Sequence, residues 1–227
     1  MFEKISSDIM IGKSCPYSFA DVKASGFDNI SLFGANSNSI TSVKKEESPK
    51  TKDKQLYDVW KNANPKLTPA FFKEVVNISK EVKCDPEDLI ALMYGESELN
   101  PKKTSGNKKY HGLIQFYEPS LKAAIKDAIK EGRAEGLKKD ITVEKLKKLS
   151  AEQQLPYVKA YLILFKEYCG LGNKKLSGGE LWGMIKSPKL TKQKNAKFFR
   201  RLEKELDNIK KSMLKYETPF HVEKKRN

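Results

Sequence analysis

The stretch "LIALMYGESELNP", residues 89–101, combines a helical apolar pattern with two glutamates and a helix-ending Asn-Pro pair. At about 100° per residue, Leu89 and Met93 lie on one side of a helix, and Glu96 returns to that side. Glu98 falls on roughly the opposite side, where a carboxylate remains in water. The pattern therefore predicts a buried helix with one carboxylate, Glu96, on its apolar face.

The position of Glu96 near a helix end gives this carboxylate access to a ligand. Proline disfavours a helical residue before it, so Asn100 and Pro101 end the helix just past Glu96. Burial away from water favours the protonated form of a carboxyl group, which a general acid needs. The alternatives are that Glu96 pairs with one of the many lysines, or that the helix ends early and leaves it exposed.

The chain carries 44 Lys and Arg against 29 Asp and Glu, a formal net charge of +15. This excess favours an anionic partner such as nucleic acid, a membrane surface or a bacterial cell wall, without choosing among them. Cys15, Cys84 and Cys169 are far apart and lack a Cys-x-x-Cys spacing, so we expect free thiols and neither a disulfide framework nor a zinc site. No cofactor and no metal are expected.

The chain divides unevenly along its length. Residues 1–52 are rich in Ser, Asn, Gly and Lys and end in a charged run, which is typical of a tether or attachment segment. Helical patterns follow. Capping residues at Thr68 and Asp85 each precede a proline at the first helical position, and further helices are predicted over residues 120–130 and after Ser150.

The last helical pattern is "NAKFFRRLEKELDNIKKSMLKYE", residues 195–217, in which basic residues flank an apolar stripe. The stripe consists of Phe198, Leu202, Leu206, Ile209 and Met213. Its basic side is either a solvated face or a surface for nucleic acid or lipid. Strand signals are weak, with a short hairpin expected within residues 102–110. We predict a mostly α fold with a tether (1–52), a main helical domain (53–190) and a basic amphipathic helix and tail (191–227).

Three sequence elements follow one another within the predicted main domain. They are "GESELNP" with the pair Glu96-Ser97, "GLIQF" over residues 112–116, and "QQLPYVKAYL" ending at Tyr161-Leu162. Together they resemble three ordered motifs of the soluble lytic transglycosylase family: Glu-Ser-x-x-Asn-Pro, Gly-Leu-[Met/Ile]-Gln and a Tyr-Leu helix. The resemblance covers roughly residues 67–187 and implies a lysozyme-like helical domain.

One element departs from the family pattern. Many members carry a Tyr-Asn-Ala-Gly-like motif after the Tyr-Leu helix, and this chain has "GGELWGMIKSP", residues 178–188, in that region. The segment is similar to a variant in phage-associated and effector-type relatives. The departure bears on sugar positioning and on the outcome of the reaction, and it leaves Glu96 in place.

The resemblance implies cleavage of the bond between N-acetylmuramic acid and N-acetylglucosamine in peptidoglycan. Glu96 would protonate the leaving oxygen and then, as a base, accept the proton of the sugar's own 6-hydroxyl, which attacks to give a 1,6-anhydro product. Hydrolysis would instead require a second carboxylate across the bond. Glu118 is the nearest candidate in the sequence, and Asp85 and Glu180 rank below it. We therefore expect a lytic transglycosylase, with lysozyme-type hydrolysis as the alternative.

Further residues are expected to bind substrate: Ser97, Gly112, Gln115, Tyr117 and Tyr161. Gln115 offers a donor and an acceptor for N-acetyl or hydroxyl groups, and Gly112 permits close approach. Ser97 and Tyr161 match the family motifs, although a helix-end serine and a core tyrosine are common structural roles.

Two further aromatic residues and one histidine are weaker candidates for the site. Phe116 and Trp182 are additional candidates for sugar stacking, and each is also typical of a core. We expect His111 to be a surface histidine. With His221 as the only other histidine in the chain, it cannot form a metal site.

The expected partners are peptidoglycan glycan strands and, through residues 1–52, phage tail or other particle proteins. No apolar run approaches the roughly 20 residues of a membrane span, and no secretory signal is recognisable. We therefore expect a virion-associated protein, or one delivered to the periplasm or cell wall by a particle or secretion system. The competing function is a catalytically silent structural or nucleic-acid-binding virion component on the same fold. Nucleic acid is disfavoured because no helix-turn-helix, zinc-finger or RNA-binding signature is present.

Overall fold

The computed structural model describes residues 57–58, 60–61 and 67–214, and over these residues the chain is mostly helical, as predicted. The helices are α1 (Pro69–Val82), α2 (Pro86–Ser97), α3 (Glu118–Lys130), α4 (Val143–Leu146), α5 (Ala151–Tyr168), α6 (Gly178–Lys186), α7 (Pro188–Lys192) and α8 (Ala196–Leu214). The strands are β1 (Tyr110–His111) and β2 (Phe116–Tyr117). The predicted tether, residues 1–52, lies outside the described residues.

Helices α1 and α2 begin at the predicted residues. The Thr68 side chain accepts a hydrogen bond from the backbone N–H of Phe71 at 3.0 Å, which caps α1. Asp85 stands at the N-cap of α2 with Pro86 after it, but its carboxylate makes no cap bond and pairs with Lys175 at 2.8 Å. The predicted helix start is therefore confirmed, while the predicted cap contact is replaced by an ion pair to the loop before α6.

Helices α5 and α6 begin with reciprocal capping bonds. Ser150 and Gln153 form a capping box at the start of α5, and Ser177 and Glu180 form one at the start of α6. Helix α3 begins at Glu118, slightly before its predicted start. Pro119 is tolerated in the first turn, because backbone N–H groups there have no partner within the helix. Local sequence signals therefore place most helix starts.

The C-terminal helix α8 belongs to the same core as the helix that carries Glu96. Its apolar stripe is buried except for Ile209, which is half-buried, and α8 packs against α6 and α2. The approach of α6 to α8 is close because α6 begins with two glycines. A Cβ at Gly178 would lie 2.5 Å from the Leu206 side chain, and one at Gly179 would lie 2.4 Å from the Phe199 carbonyl oxygen.

Antiparallel pairing begins within the predicted stretch, where the backbone N–H of Ser105 donates to the Tyr110 carbonyl at 2.9 Å, and it continues beyond that stretch as the hairpin of β1 and β2. Strand β1 pairs with β2 in antiparallel register, with Tyr110 opposite Tyr117 and His111 opposite Phe116, and Thr104 bridges to His111. The turn between the strands is the Gly-Leu-Ile-Gln motif. It reverses the chain because both its ends, Gly112 with φ +76° and Gln115 with φ +55°, adopt left-handed conformations.

The two described cysteines, Cys84 and Cys169, are free and buried, as expected. Burial raises the pKa of each thiol to about 12, which keeps both protonated near neutral pH. Among the described residues, no helix combines the length and the apolar character that crossing a membrane requires.

Candidate active site

Glu96 lies in the last turn of α2, and the two glutamates of the opening stretch differ sharply in exposure. The Glu96 side chain is 7% exposed. The Glu98 side chain is 71% exposed and pairs with Lys103 at 3.0 Å. The prediction that Glu96 faces the interior and Glu98 the solvent is confirmed, since residues four apart or seven apart share a helix face and residues two apart do not.

The end of α2 turns the chain away directly after this carboxylate. Glu98 and Leu99 adopt left-handed backbone conformations, with φ of 55° and 56°. Beyond them, Asn100 accepts a hydrogen bond on its side-chain oxygen from the backbone N–H of Lys102 at 2.9 Å. The predicted helix end just past Glu96 is confirmed, and it places the carboxylate at the edge of the helical core.

Helix α6 supplies two donors to one oxygen of this carboxylate. The indole N–H of Trp182 donates to Glu96 Oε1 at an Nε1–Oε1 distance of 2.5 Å, and the ammonium group of Lys186 lies 2.8 Å from the same oxygen. The ammonium also lies 5.3 Å from the centre of the Trp182 ring. Of the alternatives that the sequence left open, pairing with a lysine is therefore the one found, and Lys186 is that lysine.

Gly95 allows Trp182 to reach the carboxylate. A Cβ on Gly95 would lie 3.2 Å from the Trp182 ring and 2.8 Å from Ile209 Cδ1 of α8. The buried indole packs over the glycine backbone with its N–H directed at the next residue, Glu96. The Gly-Glu pair therefore acts as a unit, in which the glycine admits the ring and the glutamate accepts its hydrogen bond.

Ser97 ties the end of α2 to the Gly-Leu-Ile-Gln turn. Its hydroxyl is fully buried and lies 2.9 Å from two carbonyl oxygens, those of Met93 and Leu113. These backbone contacts give Ser97 a positioning role beside Glu96. Direct contact of Ser97 with a substrate stays a prediction.

Gln154 of α5 holds the same turn from the other side. Its side-chain oxygen accepts from the backbone N–H of Leu113 at 3.0 Å, and its amide donates to the carbonyls of Pro101 and Leu146 at 2.8 and 3.0 Å. A Cβ on Gly112 would lie 2.6 Å from that side-chain oxygen. The glycine of the motif is thus required both by its left-handed backbone and by the close approach of Gln154.

The other predicted substrate-binding residues surround this turn. Gln115 donates through its side-chain amide to the carbonyl of Gly112 at 3.0 Å. Tyr161 of α5 is buried, with its ring edge-on to Phe116 at 5.6 Å and stacked on Phe165 at 4.5 Å. Tyr117 is half-buried at the start of α3. All three sequence elements of the resemblance therefore meet at residues 112–117.

Glu118, the candidate second carboxylate, begins α3 immediately after the hairpin. It pairs with Lys122 at 2.6 Å. The hydrogen bond and charge of this lysine hold the pKa of the Glu118 carboxyl below its usual value, so the group is ionised near neutral pH. An ionised carboxylate suits the base or nucleophile of a hydrolase, not its acid.

His111 is buried, contrary to the expected surface position. It is 5% exposed, because β1 packs it against the core, and its Nδ1 lies 3.2 Å from the hydroxyl of Thr104. Within residues 57–58, 60–61 and 67–214, no group of three or more His, Cys, Asp or Glu side chains is arranged to hold a metal ion.

An ion pair between the buried Asp88 and the half-buried Lys210 fixes α8 against α2. Lys210 lies 2.8 Å from Asp88 and 2.9 Å from Asp207. Burial opposes the charged form of Lys210, but its hydrogen bonds to the two carboxylates outweigh this and raise its pKa. Burial raises the pKa of Asp88, and Lys210 counteracts part of that effect. The pair anchors the helix whose Ile209 contacts Gly95.

A cavity of about 370 Å³ lies between α1, α5 and the loops around Arg133 and Gly172, and none of the predicted site residues lines it. Its charged groups are already engaged. Lys166 donates to the carbonyls of Val82 and Lys174 at 2.5 and 3.1 Å, and Arg133 pairs with Asp127 at 2.8 Å. These contacts give Lys166 and Arg133 structural roles at this cavity.

Lys186 and Gln154 contribute to the site but were not predicted from the sequence. Gln154 carries a detectable signal, because the capping box assigns Gln153 to the helix start and leaves Gln154 on the buried face with Val158 and Tyr161. The sequence gives no signal for Lys186, because its partner, Glu96, lies 90 residues earlier in the chain.

No family model, curated protein or solved structure matches this chain.

Proposed function

We propose that this chain is a peptidoglycan-cleaving enzyme of the lytic transglycosylase type, with Glu96 as its general acid and base. The observation that carries the proposal is the environment of Glu96. The Glu96 side chain is 7% exposed, stands at a helix end and accepts an indole N–H, and the next residue, Ser97, contacts the Gly-Leu-Ile-Gln turn. A lysozyme-like arrangement of the helices belongs to the same proposal.

The chemistry requires one carboxyl group that changes its protonation state. Glu96 donates a proton to the glycosidic oxygen as the bond to C1 breaks, and positive charge develops on the muramoyl ring. The resulting carboxylate accepts the proton of the 6-hydroxyl, and that oxygen bonds to C1. Glu96 is thereby protonated again, the proton that it gave remains on the hydroxyl of the leaving sugar, and the product is a 1,6-anhydro sugar formed without consuming water. The Trp182 N–H remains directed at the carboxylate throughout and fixes its orientation.

The contacts around the turn support a positioned site. Ser97, Gln154 and the edge-on Tyr161 ring each hold a part of residues 112–117. Substrate-positioning groups act best when other contacts fix them. Gln115 and Tyr117 then supply the polar and aromatic contacts to sugar that the resemblance implies.

Hydrolysis is the second outcome for the same site. Glu118 is the described carboxylate that follows the turn directly, and its lowered pKa keeps it ionised, as a base that activates water must be. The stereochemistry and the end group of the product distinguish the two outcomes.

A catalytically silent component is the competing function, and the Lys186 contact favours it. An ion pair between a buried carboxylate and a lysine is also a common structural device for joining two helices, here α2 and α6. In that function Glu96 serves packing alone. Attachment to a particle through residues 1–52 is compatible with either function and stays part of the proposal.

Digestion of purified peptidoglycan tests the proposal, with the released muropeptides analysed by mass spectrometry. Wild type is compared with Glu96→Gln, and Glu98→Gln is the matched control because it removes a neighbouring carboxylate that is exposed. Anhydro-muropeptides from the wild type and from Glu98→Gln, but not from Glu96→Gln, support the transglycosylase. Reducing ends with the same dependence point to hydrolysis. Absence of any Glu96-dependent product overturns the enzyme and favours the structural component.

A further inference from the structure

The two donors to Glu96 differ in their freedom to move. Trp182 is buried, and its ring fills the space over Gly95 and beside α8. Lys186 stands one turn later on α6, at the end of the helix, and its side chain is 38% exposed. The ammonium group therefore lies between a buried carboxylate and the solvent, on a flexible stem. Lys186 can leave Glu96 without opening the core, and Trp182 cannot.

The ion pair opposes the proposed chemistry as long as it is intact. The ammonium group lies 2.8 Å from Glu96 Oε1, where it competes with a glycosidic oxygen for the carboxyl group of a general acid. The site therefore needs something that removes Lys186 from Glu96 when substrate is bound. A second anion near the ammonium group would do this, because one charge-assisted hydrogen bond is exchanged for another.

We propose that Lys186 is a specificity-determining residue that makes cleavage depend on an anionic substrate; this rests on the proposed function. A free carboxylate of the glycan strand or its peptide stems draws the ammonium group away from Glu96. Glu96 is then free of the ammonium contact and acts as the acid. A neutral glycan leaves the ion pair in place and is cleaved slowly. The same lysine thus binds the correct substrate and releases the acid.

The experiment compares one substrate in two charge states. Purified peptidoglycan is used directly and after its free carboxylates are converted to methylamides, and the initial rate of muropeptide release is measured on each. The ratio of the two rates is the readout. Wild type, Lys186→Met and Lys186→Arg are compared, with Glu96→Gln as the inactive reference.

The matched control is Lys189→Met, which removes an exposed positive charge three residues further on, from α7. It reports the general attraction between a basic protein and an anionic polymer. Lys186→Gln serves as a second neutral variant, in case Lys186→Met fails to fold.

The wild type is expected to cleave native peptidoglycan roughly tenfold or more faster than the methylamide form, the size of a charge-assisted hydrogen bond. Lys186→Met or Lys186→Gln should reduce the ratio to near one, mainly by cleaving the neutral substrate faster. Lys186→Arg and Lys189→Met should keep the wild-type ratio.

Two results would overturn this inference while leaving the proposed function intact. The first is that the wild type cleaves native and methylamide peptidoglycan at nearly equal rates, while cleavage still depends on Glu96. The second is that Lys186→Met and Lys186→Gln both keep the wild-type ratio of these rates. A lack of Glu96-dependent product from either substrate overturns the proposed function itself, and the role of Lys186 with it.

Discussion

Trp182 donates its indole N–H to Glu96 across 2.5 Å, although the two residues lie in different helices, α6 and α2. This contact fixes the orientation of a carboxylate that the backbone of α2 alone would leave free to rotate. It also makes a specific demand on residue 182, because phenylalanine fills similar space but has no N–H to donate.

Trp182→Phe is expected to keep the fold and to lower the Glu96-dependent rate of muropeptide release roughly 10- to 100-fold, the loss of one hydrogen bond to a charged group. Urea unfolding of the same variant verifies that the protein remains folded. A rate equal to that of the wild type would show that the indole N–H has no part in orienting Glu96.

Gly95→Ala is expected to destabilise the protein by about 1–3 kcal/mol, because the new methyl group would press on Ile209 and the Trp182 ring. The sign is informative, since alanine in a helix interior is otherwise favoured over glycine by about 1 kcal/mol. The measurement is urea unfolding followed by circular dichroism. Gly106→Ala is the control, because a Cβ there meets nothing within 4 Å, and its stability should stay within about 0.5 kcal/mol of the wild type.

Gln154→Leu should destabilise the protein by roughly 3 kcal/mol, because the change leaves the buried N–H of Leu113, the buried carbonyl of Leu146 and the partly buried carbonyl of Pro101 without their side-chain partner. The exposed Gln193→Leu is the control and should have little effect. Chemical denaturation of both variants gives the comparison. A loss for Gln154→Leu no larger than for the control would contradict the assigned role of this amide.

Lys210→Met is expected to lower the free energy of unfolding by about 3–5 kcal/mol, because it leaves the Asp88 carboxylate buried without its counter-ion. Adding Asp88→Asn to Lys210→Met should recover part of the loss, because the unpaired charge is then absent. A double-mutant cycle by urea unfolding measures the coupling. Lys211→Met, which changes the next and exposed lysine, is the control; an equal loss there would exclude a specific anchor at Lys210.

The buried thiol of Cys84 predicts a defined pH dependence of stability. Its pKa is raised from 9.0 to about 12 in the folded state, so the unfolded chain releases this proton first as pH rises. The contribution to stability is complete below about pH 9 and is lost towards pH 12. Between pH 8 and 10.5, Cys84→Ala should therefore lose about 2 kcal/mol less stability than the wild type. Denaturant unfolding of both proteins at the two pH values measures this difference. The cost of the smaller alanine side chain is the same at both pH values, so it does not affect the comparison. Equal slopes in the two proteins would contradict the burial of an un-ionised thiol.

Local signals in the sequence were sufficient for much of the helical framework. The capping residue Thr68, the proline at 86 and the Ser150 start of α5 act through contacts within one helical turn, so they operate in any tertiary context. The predicted pairing within residues 102–110 is present, but the hairpin of β1 and β2 extends beyond it. Its turn depends on the left-handed backbone of Gln115, which the residue type does not favour. The hydrogen bonds of Leu113 to Gln154 of α5 and to Ser97 of α2 support this turn.

The sequence by itself determined that Glu96 faces inward and Glu98 outward, because the helical repeat settles which side chains share a face. It also identified the apolar stripe of α8, although the packing of that helix against α2 and α6 came only from the structure. Only the tertiary structure decided the partners of Glu96. Trp182 and Lys186 reach it because the glycines of α6 let that helix pack closely on α8, and Gly95 lets the indole lie over α2. Such contacts arise from the packing of distant helices, and no local pattern of residues encodes them.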